Sequence, residues 1–350
     1  MSQNKEVYYS DYLQLNKILK AQEPESAKVG IDAHDEMLFI IIHQTYELWF
    51  KQTLFELDSV VEIYGKEKIT DTSPDLQKIV HRLKRVTSIL EVAVQQITIM
   101  ETMTPMDFLD FRNLLRPASG FQSMQFKELE AKLGLKMDER HGKQYYVSQL
   151  RPEDAKEIKE LDKQTTFIEL LNKWLERMPF WGGDEYWDSY LAKHYDKESD
   201  VHIFWQEYTK VYESSLTKGE ETNLKRFKDV CLGESPLEGR RLTPKANRAA
   251  LFIMLYREYP LLQMPYQLLN TLLDIDELMA TWRFRHVNMV HRMIGTRVGT
   301  GGSSGKDYLQ AALNKHYIFK EIAELTSFLV QRHQMPELDE DLKDALCFKS

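Results

Sequence analysis

Glycine is scarce in this chain: 15 residues in 350, about 4% against roughly 7% in average usage. Together with only 11 prolines, the shortage leaves little material for tight turns and points to long helices. Two cysteines, Cys231 and Cys347, exclude a disulfide framework and a cysteine-cluster metal site. Basic charge is not in excess either. Lys and Arg number 46 against 54 Asp and Glu, a net charge of −8, which argues against a broad nucleic-acid footprint because that needs a basic face. The longest apolar run, Met37 to Ile42, falls far short of the ~20 residues of a membrane span. The N-terminal MSQNKEVYYS lacks the apolar stretch of a signal peptide. These absences lead to the expectation of a soluble, reduced, cytoplasmic protein that engages neither membrane nor nucleic acid.

What is present reads as helix. Length alone suggests about two domains and a core large enough to stand without staples. A first long helix is expected from Asp35 to Tyr64, with Asp35 as N-cap and Gly65 following. Leu38, Ile41, Ile42, Leu48, Trp49, Phe55 and Leu57 spread over a wide surface of it, so most of it should be buried. A second begins at Ser73-Pro74-Asp75, with Leu76, Ile79, Val80, Leu83, Val86 and Leu90 at helical spacing, and reaches Met103. Thr104-Pro105-Met106-Asp107 reads as a capping box opening a third helix that ends before Pro117. Ser119-Gly120 makes a turn, and another helix spans Gln122 to Leu133, closing at Gly134.

From Lys132 to about Arg241 the chain turns polar, with short apolar clusters at Phe167 to Trp174 and Ile203 to Val211. Small helices decorating a main core are expected there. Helical signals return at Thr243-Pro244 and continue past Pro260 and Pro265. One long pattern runs from Tyr266 to Ile294 and stops at Gly295. A last helix is expected from Ile318 to Val330, before a polar tail. No period-2 strand pattern emerges, so the fold class is all-α.

His43 lies mid-helix, flanked by Phe39 one turn before and Glu47 one turn after. Aromatic surroundings disfavour its charged form. A histidine satisfied within the core is the commoner case; a neutral hydrogen-bonding group in a ligand pocket is the alternative. His286 and His291 stand five residues apart on the long helix, about 140° round its axis, and cannot share one metal. Either would serve as a single axial ligand to haem, and spacing does not choose between them. Arg112 and Arg116 are one turn apart among Phe108, Phe111 and Leu115. A guanidinium beside aromatics suits a carboxylate, although surface arginines with packed stems are commoner.

Four of the 15 glycines fall in Gly299-Thr300-Gly301-Gly302-Ser303-Ser304-Gly305. A phosphate-binding P-loop needs Gly where Thr300 stands and Ser or Thr where Asp307 stands; a dinucleotide fingerprint needs Gly at Ser304. Both fail, and a helix precedes the segment where a strand is required. What remains is a hydroxyl-rich loop able to close over a small ligand. The paired Glu-x-x-His of a di-iron bundle is absent, since the nearest match is the single Asp138-x-x-His141.

Taken together, four stretches resemble the tryptophan 2,3-dioxygenase family. They are Tyr9 to Leu13 with Lys20-Ala21-Gln22; Asp35 to Lys51; Thr104 to Phe108 with Phe111-Arg112 and Ala118 to Ser123; and Trp282-Arg283 through His286, Met289-Val290, Ile294-Gly295 and the glycine-rich segment. The match covers the N-terminal third and the 250–310 region well, and 135–240 loosely. The resemblance implies a haem enzyme adding both atoms of O₂ across the indole C2–C3 bond of L-tryptophan to give N-formyl-L-kynurenine, the first step of tryptophan degradation by the kynurenine pathway.

By position, the resemblance makes His286 the proximal ligand of one haem b per subunit. It makes His43 the distal histidine accepting a hydrogen bond from the indole N–H, and Arg112 the arginine on the substrate carboxylate. Thr300 corresponds to the threonine that helps hold the ammonium group. Phe39, Phe108 and Ser119 match pocket-lining positions. The family carries Phe or Tyr at the Phe108 position, so a phenol hydroxyl to the carboxylate is missing here. Tyr9, Tyr12 and Leu13 match residues that complete a neighbouring subunit's pocket in a homotetramer. The expected organisation is one all-α catalytic domain over residues 1–350, interrupted by a helical insert at 135–240. A haem- or tryptophan-binding protein without turnover is the competing class.

Overall fold

The computed structural model describes residues 6–66, 74–137, 140, 150–177, 202–295 and 317–347. Among them the regular elements are helices, with no strand. In chain order they are α1 (Tyr9–Tyr12), α2 (Leu15–Ile18), α3 (Glu25–Lys28), α4 (Asp35–Tyr64), α5 (Pro74–Met100), α6 (Pro105–Arg112), α7 (Met124–Leu133), α8 (Pro152–Leu161), α9 (Phe167–Glu176), α10 (Ile203–Ser215), α11 (Glu221–Phe227), α12 (Pro244–Leu255), α13 (Pro260–Ile294), α14 (Lys320–Glu324) and α15 (Glu340–Ala345). No helix among the described residues is long and apolar enough to cross a membrane.

Three long helices form the frame. α4 runs thirty residues without a glycine or proline, and α5 buries Leu76, Ile79, Val80, Leu83, Val86, Leu90, Ala93, Ile97 and Met100 along one helical face. α5 packs against both α4 and α13. Tyr46 donates to the Ala93 carbonyl and Arg85 pairs with Glu56, so α4 and α5 run antiparallel. Lys84 meets Gln267 and Arg285 meets Glu101, so α5 and α13 run in the same direction. The start of α4 and the ends of α5 and α13 therefore lie at one end of the frame.

The caps explain several boundaries. Thr104 Oγ1 accepts from Asp107 N, and the Asp107 carboxylate accepts from Thr104 N at 3.0 Å, the expected capping box at α6. Ser123 caps α7 two residues later than expected, because Gly120–Gln122 forms a 3₁₀ turn of its own. Gly134 then ends α7 at φ +133°, where a Cβ would come within 2.6 Å of Ile168. At α4, Asp35 is the first helical residue and not the cap; the neighbouring Glu36 accepts from Glu25 N and Ser26 N at 2.8 and 2.9 Å, tying α3 to α4. The Ser73 cap expected for α5 lies outside the described residues.

Other expectations are corrected. α4 is not wholly enclosed: Ile41, Leu48 and Phe55 are exposed on a face turned away from its partners. The pattern past Pro244 divides at Tyr256–Tyr259, and Pro260 opens α13 as its first residue. Pro265 sits inside α13 within its first two turns. The helix expected over 318–330 shortens to α14 followed by a 3₁₀ turn at Leu325–Phe328. The tail is not merely polar, because Leu338, Leu342 and Leu346 bury around α15 and the Leu346 carbonyl accepts from Leu261 N. Three leucines at i, i+4 and i+8 suffice to dock a segment whose other residues are charged.

Two apolar clusters result. The larger unites Leu57, Leu83, Leu251 and Leu272 with Phe167 and Trp174 of α9, Tyr208 of α10, and Phe227 of α11. Described residues of the polar 135–240 stretch thus share the main core through a few large aromatics. The smaller cluster gathers Ile42, Tyr46 and Phe50 of α4, Ala93, Ile97 and Met100 of α5, and Met103, Phe111 and Met293.

Candidate active site between α4, α6 and α13

The smaller cluster is where the chemistry-bearing residues meet. Phe39 and His43 stand one turn apart on α4, their ring centroids 4.1 Å apart. Phe39 also packs on Phe108 at 5.7 Å and on Phe111 at 5.5 Å, both from α6. Three aromatic rings thus wall one side of the space that His43 enters.

His43 Nδ1 lies 2.7 Å from the Phe39 carbonyl. A carbonyl only accepts, so Nδ1 carries the proton and Nε2 is left as a bare acceptor. Burial pushes the His43 pKa down, against the opposing pull of the Phe39 carbonyl and Glu47. The imidazole is therefore neutral, with one fixed tautomer.

On α13, the His286 ring stacks on Trp282 at 5.1 Å with planes 8° apart. Trp282 in turn packs on Phe126 at 4.9 Å, and edge-on against Tyr46 at 6.0 Å. Burial pushes the His286 pKa down to about 4, and the nearness of His43 adds to the effect. The two imidazoles thus pack on Phe39 and Trp282, rings that lie against the same small cluster. His291, its rival by spacing, is exposed. Met289, Met293 and Ile294 extend the apolar lining on the His286 side.

Arg112 is buried, at 4% exposure, in the last turn of α6. Arg116, one turn on, is exposed after the 3₁₀ turn Asn113–Leu115. The structure separates the two arginines: Arg112 is buried beside Phe111 of the small cluster and Arg116 is exposed. Ser119 is half-buried, and its hydroxyl accepts from Phe121 N at 3.3 Å. Tyr9 and Tyr12 are each 75% exposed, Leu13 is half-buried, and none of the three belongs to the small cluster. Thr300 and its loop lie outside the described residues.

The donor set fits a haem. A porphyrin iron asks the protein for one neutral imidazole in an apolar slot. His286 offers that, with no hydrogen bond to either nitrogen among the described residues. The support behind it went unread in the sequence: Phe126 and Glu130 on α7 reach Trp282 and Arg283 on α13. Their i, i+4 spacing was a usable signal, but nothing in it names α13 as the partner.

The fold and these side chains define an all-α protein in which two neutral imidazoles, an aromatic wall and, on α6, a buried arginine gather at and beside one small apolar cluster. The family model described as tryptophan 2,3-dioxygenase matches residues 1–329. The chain is 43% identical to tryptophan 2,3-dioxygenase of Bdellovibrio bacteriovorus, over 98% of each chain. It is 41% identical to that of Dictyostelium discoideum, over 99% of this chain and 90% of the relative. With that of Rattus norvegicus the identity is 39%, over 95% and 84%. The chain belongs to the tryptophan 2,3-dioxygenase family.

Proposed function

We propose that this chain is a haem-dependent dioxygenase converting L-tryptophan and O₂ to N-formyl-L-kynurenine, with His286 as the residue that would hold the haem iron. One observation carries the reading: two imidazoles, on α4 and α13, pack on aromatic rings that lie against one apolar cluster, and burial keeps both neutral. When bound, haem supplies the redox chemistry that adds O₂ across the indole C2–C3 bond.

The chain's own residues orient the substrate. His43 Nε2, bare because Nδ1 is committed to Phe39, accepts from the indole N–H. Arg112 meets the carboxylate, and its low-dielectric surroundings strengthen that pairing. Phe39 and Phe108 hold the ring and exclude water, while Ser119 lines the entry. Fixing both ends of a rigid bicycle leaves it little freedom, which is how positioning lowers a barrier. His43 acts to orient the substrate more than to remove a proton, since an indole N–H is a far weaker acid than an imidazolium.

Thr300 would hold the ammonium group, and Tyr9, Tyr12 and Leu13 would complete a neighbouring subunit's pocket. The exposure of those tyrosines supports that reading, as does the exposed apolar face of Ile41, Leu48 and Phe55 on α4, which suits a homotetramer. We read residues 1–350 as one catalytic unit working in the cytoplasm, with 135–240 inserted in it.

The test is an anaerobic spectrum of the haem-reconstituted, reduced protein with and without tryptophan, followed by admission of O₂. A Soret band perturbed by tryptophan, then N-formylkynurenine in step with substrate loss, is expected. Haem and tryptophan binding with no product would leave a ligand-binding protein.

A further inference from the structure

A histidine that ligates a metal ordinarily donates its other ring N–H to a carboxylate, carbonyl or water, and that bond sets the plane of the ring. His286 forms no hydrogen bond among the described residues. Among the described residues, what orients its ring is its own helix and the face-to-face stack with Trp282. Whatever fixes residues 282–286 of α13 therefore fixes the ring.

That task falls to α7. Phe126 packs against Trp282 at 4.9 Å, and its ring also lies 5.9 Å from the Arg283 guanidinium. One turn later on α7, Glu130 accepts from Arg283 Nη2 at 2.6 Å. The other Glu130 oxygen accepts from Arg140, whose second nitrogen donates to the Leu135 carbonyl at 3.0 Å. Glu130, Arg140 and Arg283 are all buried. A buried ion pair adds little net stability over an apolar replacement, because desolvation offsets the attraction. What it does provide is geometry: two fixed oxygens and a planar guanidinium admit few alternative registers of α13 on α7.

We propose that Glu130 is a positioning residue, whose buried pair with Arg283 locks the α13 segment carrying Trp282 and His286 and so sets the plane in which the imidazole meets haem. The proposal rests on His286 as the axial ligand. It concerns the support behind that ligand, on the side of α13 that faces α7.

The experiment uses full-length, haem-loaded protein and three variants. Glu130→Gln removes the charge at nearly constant shape, and Arg283→Lys keeps the charge but loses the planar fork. Glu56→Gln is the control: Glu56 is equally buried and pairs with Arg85 at 2.7 Å between α4 and α5, with no path to His286. The readouts are the iron–imidazole stretch of the ferrous protein by resonance Raman, haem transfer to apomyoglobin, Tm, and KM against kcat.

Glu130→Gln and Arg283→Lys should shift and broaden the iron–imidazole stretch and speed haem transfer about tenfold, the scale of other losses behind metal-bound histidines. kcat should fall while KM for tryptophan holds. Glu56→Gln should lower Tm with no change in stretch or transfer rate. If the two α7–α13 variants match Glu56→Gln in every readout, the proposal is overturned. Should Glu130→Gln fail to fold, Arg283→Lys decides by the same readouts. An unchanged axial signature in His286→Ala removes the ligand assignment itself, and the positioning role falls with it.

Discussion

Around the large apolar cluster, buried charge comes with partners. Glu56 takes Arg85 and Gln52, Asp276 accepts from Ile318 N and Phe319 N, and Glu321 accepts from Arg241 N and Leu242 N. The small cluster follows another rule. Its histidines are kept neutral by burial; among the described residues, one has a single nitrogen committed and the other has neither. A region that only has to hold shape saturates its buried carboxylates, since an unmet buried charge costs stability, although Asn247 Oδ1 there has no partner among the described residues. A region that has to receive a ligand leaves capacity open, and the ligand then supplies the missing partners. Glu130 and Arg283 stand at the boundary, saturated toward α7 and supporting the open side.

Variants that separate these two regions test the contrast. The largest effect belongs to His286→Ala: the haem-reconstituted protein should lose its axial signature and its activity together, as read from the Soret band and product formation. Arg112→Ala comes next. Loss of a charge-assisted pair in a buried pocket should cut kcat/KM for tryptophan by roughly 10²–10³, with Tm changed little. Leu57→Ala inverts that pattern. A cavity in the large core should cost about 3 kcal/mol in chemical denaturation, with KM untouched; a raised KM there would mean the two regions are not separable.

Smaller effects come from titration. Burial pushes Lys127 of α7 down to about 7, against the pull of Glu130 and with help from Arg140. In the unfolded chain it titrates near 10.5. Between those values the unfolded state binds the extra proton, so stability rises as pH rises across the window. Lys127→Met should flatten that rise and add of order 1–3 kcal/mol at neutral pH, measured by urea titration at several pH values. The smallest effect concerns His43. Its pKa lies below the usual 6.5, so KM for tryptophan should stay level through neutrality and climb only at more acidic pH, when a proton occupies Nε2. A KM that climbs already above pH 7 would contradict a half-buried, neutral imidazole.

Much of this was legible before any coordinates. α4 reads directly from thirty residues free of glycine and proline, α6 from its capping box, and α5 from its leucine and isoleucine spacing, because these are local signals that tertiary contacts reinforce. The docked tail at α15 was hidden, because three leucines in a charged segment become a hydrophobic face only when α13 offers a surface. The apolar clusters of α9 and α10 were visible, but not that they enter the main core where decoration of it was expected. At the site, the motif stretches single out His43, Arg112 and His286, but residue spacing alone ranked His286 and His291 equally. Their surroundings separate them: the His286 ring stacks on Trp282 beside the small cluster, and His291 is exposed.

The sequence by itself determined that the chain is helical, where its long helices lie, and which short stretches mark its family. These follow from propensity, caps and periodicity, which act over a few residues. Only the tertiary structure decided that α5 and α13 run in the same direction, that His43 keeps Nε2 bare, that Arg112 is buried while Arg116 is not, and that α7 stands behind His286. Those outcomes depend on which surfaces exclude water together. That is a property of packed elements far apart in the chain, and no local pattern encodes it.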